Sequence, residues 1–174
     1  AGALIWLTIE WFIVKKPTLI GMASGAVSGL VGITPASGFV DASGALAIGI
    51  ISGIVGYWGV VHLKSMIKHD DTLDAFGIHG LVGIAGALLT GIFANPEVNG
   101  GAGLLYGNPI QVWVQLKAVL ITIAYSAVAT FVVWKVCELI TRGGRVDEEL
   151  ELEGMDIGFH GEHHMVVEES KIVS

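Results

Sequence analysis

Long stretches without charge constrain this chain more than any other feature of its sequence. Asp41 is the only charged residue between positions 17 and 61, and only His79 and Glu97 are ionisable among the apolar and small residues from 75 to 105. Charged residues make up 14% of the chain and apolar residues 53%, whereas water-soluble domains carry about a quarter charged residues. The sequence therefore predicts a protein that folds within a lipid bilayer.

Five apolar segments account for most of the chain, at residues 3–14, 18–33, 43–61, 72–94 and 112–140. A helix needs about 20 residues to cross the hydrocarbon layer, so the second segment is short and the fifth must tilt or protrude. The first begins almost at the first residue, without an initiator methionine, which we interpret as an incomplete chain. The predicted fold class is all-α, a polytopic transmembrane helix bundle.

Basic residues occur in every second connection between these segments. Residues 34–42 and 95–111 contain no lysine or arginine, whereas the other three connections hold Lys15, Lys16, Lys64, Lys68, Arg142 and Arg145. Because connections rich in Lys and Arg stay on the cytoplasmic side, the carboxyl terminus is predicted to be cytoplasmic. We expect residues 1–141 to form the transmembrane part and residues 142–174 a cytoplasmic tail.

Glycine recurs at short intervals within the apolar segments. Such spacing lets helix backbones approach closely in a membrane, where no hydrophobic force separates helix from lipid. The glycines are therefore interpreted as packing positions, and they are Gly21, Gly25 and Gly29, then Gly49 and Gly53, then Gly77, Gly80, Gly83 and Gly86.

His79 is the most informative single residue, because it lies about a third of the way into an otherwise apolar segment. An ionisable group at that depth is a functional hypothesis by default. The alternative is a neutral histidine that forms a hydrogen bond to a neighbouring helix. Burial disfavours the imidazolium form, so the ring is expected to be neutral and able both to donate and to accept a proton.

Two further positions near the ends of segments have open interpretations. Asp71 and Asp74 have the spacing of a helix N-cap followed by a carboxylate at N3, which predicts a structural role for both. The alternative for Asp74 is a direct role at the cytoplasmic mouth of a cation pathway. Thr34 and Pro35 end the short second segment; such breaks occur near transporter substrate sites, and an ordinary turn explains them equally well.

The sequence offers little for catalysis, cofactors or metal ions. More than half of the sixteen carboxylates follow Arg145, so the formal charge of −7 describes the tail and not the core. His160, Glu162, His163 and His164 lie in that solvated acidic segment without a cysteine, so we expect no metal site there. No catalytic residue, cofactor or nucleic-acid contact is predicted, and the single Cys137 cannot form an intrachain disulfide.

Several motifs in this order resemble the ammonium transporter (Amt/Mep/Rh) family over essentially the whole chain. They are GITPA at residues 32–36, DDTLDAFGIHG at 70–80, TGIFA at 90–94, EGMD at 153–156 and HGE at 160–162. The resemblance implies a homotrimer of eleven-helix subunits in the plasma membrane, each built from two inverted halves with its own pore. This chain would be the end of the seventh helix and helices eight to eleven.

The resemblance also implies roles for individual residues. His79 is similar to the second of the twin pore histidines, and Asp74 to the acidic residue at the cytoplasmic end of that helix, with Ala75 and Thr34 beside the pathway. In the tail, the family's regulatory region corresponds to Gly154, Asp156, His160 and Gly161.

The implied function is transport of ammonium or ammonia through a hydrophobic, histidine-lined pore, with deprotonation of ammonium as the step that gives selectivity. A PII-type signalling protein is the expected cytoplasmic partner. Two alternatives are a Rhesus-type neutral gas channel and an ammonium sensor that signals through the tail.

Overall fold

A computed structural model describes residues 1–67, 71–141 and 143–161 of the chain, and the described residues are helices and connecting loops without a strand. The longer α-helices are α1 (Gly2–Ile13), α2 (Leu19–Ile33), α3 (Ala42–Trp58), α5 (Val82–Phe93) and α7 (Ile110–Thr141). Short α-helices are α4 (Lys64–Ile67), α6 (Pro96–Asn99), α8 (Glu148–Glu153) and α9 (Met155–Gly158). This confirms the predicted all-α fold class.

Two short π-helical segments interrupt the regular helices. The first π-turn, Gly59–Leu63, joins α3 to α4, and the second π-turn, Phe76–Leu81, leads directly into α5. Single turns of 3₁₀-helix follow α2 at Thr34–Ala36 and precede α7 at Leu104–Tyr106.

Four stretches of helix are long and apolar enough to cross a membrane: Leu19–Ala36, Ala42–Met66, Phe76–Phe93 and Ile110–Thr141. They agree with the second to fifth predicted segments. The first predicted segment corresponds to α1, which is apolar but shorter. At about 1.5 Å per residue, the 32 residues of α7 extend about 48 Å, so this helix is longer than the hydrocarbon layer is thick.

One predicted helix start was wrong. The apolar segment beginning at residue 72 becomes helical only at Ala75, because Asp74 has a φ of +55° and this left-handed backbone cannot belong to the right-handed helix. The residues before it form a turn instead.

Glycine contacts bring α1, α2, α3 and α5 together, as the glycine spacing predicted, except that Gly83 has only Val31 Cγ1 near its Cβ position, at 4.0 Å, and Gly80 only the ring of Phe76 from its own turn. A Cβ atom on Gly25 would lie 2.5 Å from the Cβ of Trp6, and one on Gly53 would lie 2.9 Å from the carbonyl oxygen of Gly2. These distances are too short for any side chain, so the backbones themselves are in contact. A small apolar cluster of Ala36, Ile48 and Leu89 packs beside them.

A carboxylate fixes the loops at the end of the bundle opposite the basic connections. Asp41 caps α3, where one oxygen accepts hydrogen bonds from the amide of Gly44 (2.8 Å) and the hydroxyl of Ser43 (2.7 Å). Its other oxygen accepts a bond from the side-chain amide of Asn95 at 3.1 Å, and the amide N–H of Asn95 donates to the carbonyl of Phe39 at 2.7 Å. The loop before α3 is thereby joined to the loop after α5.

These bonds give a prediction about acid stability. The hydrogen bonds from the Gly44 amide and the Ser43 hydroxyl hold the pKa of Asp41 below its ordinary value of 3.8. A carboxylate with a lowered folded-state pKa stabilises the fold above the unfolded pKa, and that contribution disappears as the pH falls through the folded pKa. We expect the thermal midpoint of the wild-type protein in detergent to fall between about pH 5 and pH 2.5.

Asp41→Asn serves as the comparison for this prediction. Its side chain does not titrate, so its midpoint should fall less steeply over the same range than that of the wild type. Parallel curves for the two proteins would show that Asp41 contributes nothing to the acid dependence.

Internal contacts divide the chain into two units, Ala1–Ile123 and Ala124–Ser174. The predicted boundary between membrane part and tail, at residues 141 and 142, is not tested by this division and stays a prediction. In the second unit Arg145 binds the carboxylate of Glu151 through both Nε (2.8 Å) and Nη2 (2.6 Å).

Candidate functional site

His79 lies in the second π-turn and is the fourth residue of the 18-residue apolar span Phe76–Phe93, nearer to the start of the span than the sequence predicted. Gly77 and Ile78 before it are buried, whereas the His79 side chain is exposed at the surface of the bundle. Among the residues that the structure describes, the imidazole has no hydrogen-bond partner. The alternative of a histidine bonded to a neighbouring helix therefore has no support within this part of the molecule.

The turn before His79 is held by Asp71. One carboxylate oxygen accepts hydrogen bonds from the amides of Phe76 (3.0 Å) and Gly77 (3.2 Å). These amides belong to the first turn of the helix and have no partner inside it. Asp71 is thus a capping residue, as predicted, but Asp74 is not at the N3 position, because it precedes the helix.

Asp74 forms an ion pair with Lys64. The Lys64 Nζ lies 2.8 Å from Oδ1 of Asp74, and the two side chains keep 33% and 29% of their accessible surface. The pair joins α4, which follows the first π-turn, to the loop residue two positions before the second. No local pattern predicts this pairing, since ten residues separate the partners and many such pairs are possible in a basic connection.

The two residues expected beside the pathway lie at different ends of the bundle. Ala75 is exposed and directly precedes the second π-turn. Thr34 begins the 3₁₀-turn after α2, and its hydroxyl donates a hydrogen bond to the carbonyl of Leu30 at 2.7 Å. Since α2 begins at the basic connection that contains Lys15, Thr34 lies at the opposite end of the bundle from Asp74.

The four candidate regulatory residues lie in the second unit. Gly154 has a φ of +96° between α8 and α9, and Gly161 has a φ of +67° after α9. Both conformations favour glycine over other residues. Asp156 lies within α9, and the ring of His160 packs edge-on against Phe159 with 5.3 Å between centroids.

A metal site in the tail was not expected from the sequence. No group of three or more metal-binding side chains is present among residues 1–67, 71–141 and 143–161. Of the histidine-rich group at its end, Glu162, His163 and His164 lie outside the described residues.

Glu10 has a structural role that sequence reasoning missed. Its carboxylate accepts hydrogen bonds from the indole N–H of Trp6 (3.2 Å) and from the amide (2.7 Å) and hydroxyl (3.1 Å) of Thr18. The Thr18 hydroxyl in turn accepts a bond from the Gly21 amide at 2.9 Å and so caps α2. The signal available in the sequence was a lone carboxylate near the end of an apolar helix.

The long apolar helices and the glycine contacts between them define a multi-pass α-helical membrane protein. The chain belongs to the ammonium transporter family, since a sequence profile described as Ammonium Transporter Family matches residues 1–165. This confirms the resemblance drawn from the motifs.

Two curated relatives illustrate the match. An ammonium transporter of Aquifex aeolicus is 51% identical over 161 residues, which cover 92% of this chain and 38% of the relative. An ammonium transporter of Bacillus subtilis is 46% identical over 164 residues, covering 93% of this chain and 40% of that protein. The chain thus spans about two fifths of the length of these relatives.

The fold also matches a solved structure. The crystal structure of Saccharomyces cerevisiae Mep2 superposes with a TM-score of 0.77 at 35% sequence identity, over 85% of this chain and 35% of the Mep2 chain. The helix arrangement described above is therefore similar to that of part of a known transporter.

Proposed function

We propose that the protein to which this chain belongs transports ammonium, and that His79 lines its pathway. The observation that carries this proposal is the position of the imidazole, which lies in an apolar span, is exposed on the bundle and has no hydrogen-bond partner within the described ranges. The family membership supplies the substrate class. Ionisable groups in membrane spans ordinarily face a bundle interior or a cavity, so the exposed face around His79 would be covered by further helices.

The chemistry of such a pathway follows from the cost of moving charge into hydrocarbon. An ion transferred without compensation costs on the order of tens of kcal/mol by a Born estimate, whereas neutral ammonia needs no charge transfer. Ammonium can lose a proton and potassium cannot, so a narrow apolar passage separates the two by deprotonation rather than by size. A neutral imidazole can accept a hydrogen bond from ammonia, and it can accept the released proton and donate it onward, so that ammonia and the proton both cross and net transport carries charge.

Asp74 and Lys64 would lie at the cytoplasmic mouth of this pathway. The pair is about one-third exposed, and Asp74 lies two residues before the π-turn with His79. Because Lys64 partly neutralises the carboxylate, Asp74 would attract a cation without binding it tightly. Ala75 would lie beside this mouth, and Thr34 at the opposite end of the bundle.

The wider setting is part of the same proposal. The basic connections favour a cytoplasmic tail in the plasma membrane, and the family resemblance favours a homotrimer with one pore in each subunit. The glycines at 154 and 161, with Asp156 and His160, would form a regulatory segment that couples the pore to a PII-type signalling protein.

A planar-bilayer experiment on the purified full-length protein tests the function. We expect an inward current that depends on ammonium and is absent with the same concentration of potassium. Ammonia permeation without current would instead indicate a neutral gas channel. Absence of both transport and current in protein that binds ammonium would favour a sensor and overturn the proposal.

A further inference from the structure

Two rare helical turns lie side by side next to the candidate site. The first π-turn continues α3, and the second π-turn carries His79 and packs against the first. A π-turn is a wider turn than that of an α-helix, so it changes the direction of the side chains around it, and such turns occur frequently at functional sites. The contact between these two π-turns therefore bears on how the His79 side chain is oriented.

The turns touch through two buried glycines, Gly59 and Gly77. A Cβ on Gly59 would lie 3.0 Å from the carbonyl oxygen of Gly77 and 3.2 Å from its Cα. A Cβ on Gly77 would lie 3.1 Å from the carbonyl carbon of Gly59 and 3.2 Å from the backbone nitrogen of Val60. The side chains of Leu81 and Val60 also lie close, at 3.0 and 3.2 Å, but the other near atoms are backbone and cannot rotate away, so an added methyl group would shift one turn relative to the other by a few tenths of an ångström.

The Lys64–Asp74 ion pair fixes the same two elements at a second point. Lys64 directly follows the first π-turn, and Asp74 lies two residues before the second. With one end held by this pair, a change at the glycine contact would tilt the second π-turn instead of translating it freely. His79 lies two residues beyond Gly77 and would move with that tilt.

We propose that Gly59 is a positioning residue for His79: its backbone contact with Gly77 sets the depth and direction of the imidazole. Gly59 has no side chain with which to bind a substrate and acts only through the second π-turn. This inference rests on the proposed role of His79 in transport, and it adds a determinant on a different helix that the family motifs used above do not include.

The test compares Gly59→Ala with Gly49→Ala in the full-length protein. The control introduces a similar overlap on the same helix, since a Cβ on Gly49 would lie 3.0 Å from the Cβ of Ala1, away from the π-turns. The readouts are the ¹⁵N resonance of the His79 imidazole and the selectivity for ammonium over potassium in proteoliposomes. His79→Ala assigns the resonance.

Gly59→Ala should shift the His79 resonance and lower selectivity by up to roughly tenfold, since the neighbouring turn must give by a few tenths of an ångström and a misplacement of about 1 Å costs on the order of a hundredfold in reactions that depend on orientation. Gly49→Ala should leave both readouts unchanged. An unmoved resonance in Gly59→Ala, or equal changes in both variants, would overturn the proposal.

Val60→Ala keeps the test decisive if Gly59→Ala does not fold. The Val60 side chain packs beside Gly77, with Cγ2 3.2 Å from the position a Cβ would take, so truncating it removes packing between the two π-turns without overlap, and the His79 resonance should again move. Wild-type selectivity in His79→Ala would overturn the pore role itself. If His79→Ala loses selectivity but the His79 resonance stays unmoved in both Gly59→Ala and Val60→Ala, only the positioning role is overturned.

Discussion

Replacing His79 with alanine in the full-length protein is expected to abolish selective ammonium conduction. The methyl group cannot accept a hydrogen bond from ammonia or a proton from ammonium, so the step that separates ammonium from potassium is lost. Loss of a group that acts in proton transfer typically lowers a rate by about 10²–10⁴-fold. The measurement is the current carried by ammonium and by potassium in planar bilayers.

His62→Ala is the matched control. His62 is also a histidine in a π-turn, but it lies in the first turn, where its ring packs near Tyr57 with 6.1 Å between centroids. Its removal should leave the ammonium current and the selectivity close to wild type. This comparison separates the loss of a particular pathway imidazole from the general effect of removing a histidine from a π-turn.

Unchanged selective currents in His79→Ala would show that the imidazole is not in the transport pathway. Equal losses in His79→Ala and His62→Ala would assign the effect to helix structure. Neither result is compatible with selectivity by deprotonation at His79.

The membrane spans were predictable because lipid imposes a simple rule on the sequence. A segment that crosses hydrocarbon has to satisfy its backbone hydrogen bonds as a helix and to carry few charges. Four stretches obey this rule so clearly that their bounds were predicted to within five residues, including the long α7. The start of the Phe76–Phe93 span was misplaced, because hydropathy contains no information about the left-handed backbone of Asp74.

The surroundings of His79 could be predicted only in part. Its depth in an apolar span was evident from the sequence, and so was the capping role of Asp71. The ion pair between Lys64 and Asp74 depends on how two helices approach each other, which no local pattern determines. The π-turns were also missed, because their glycines have the same appearance in sequence as glycines that only pack helices.

Substitution of Gly86 by alanine is expected to destabilise the helix bundle strongly. A Cβ at this position would lie 2.3 Å from the carbonyl oxygen of Gly32 and 2.9 Å from its Cα, so α2 and α5 would have to separate. Overpacking of this kind typically costs about 1–3 kcal/mol and occasionally more, against a gain of about 1 kcal/mol in helix propensity from Gly to Ala. The thermal midpoint of the purified protein in detergent should therefore fall.

Gly83→Ala provides a control on the same helix, one turn earlier. The nearest atom to its Cβ position is Cγ1 of Val31 at 4.0 Å, so the added methyl meets only ordinary van der Waals contact. With no overlap to offset it, the gain in helix propensity of up to about 1 kcal/mol should leave the midpoint unchanged or raised. Opposite signs for the two variants would identify backbone contact with Gly32 as the cause, whereas equal midpoints would mean that α2 and α5 are not in close contact at Gly86.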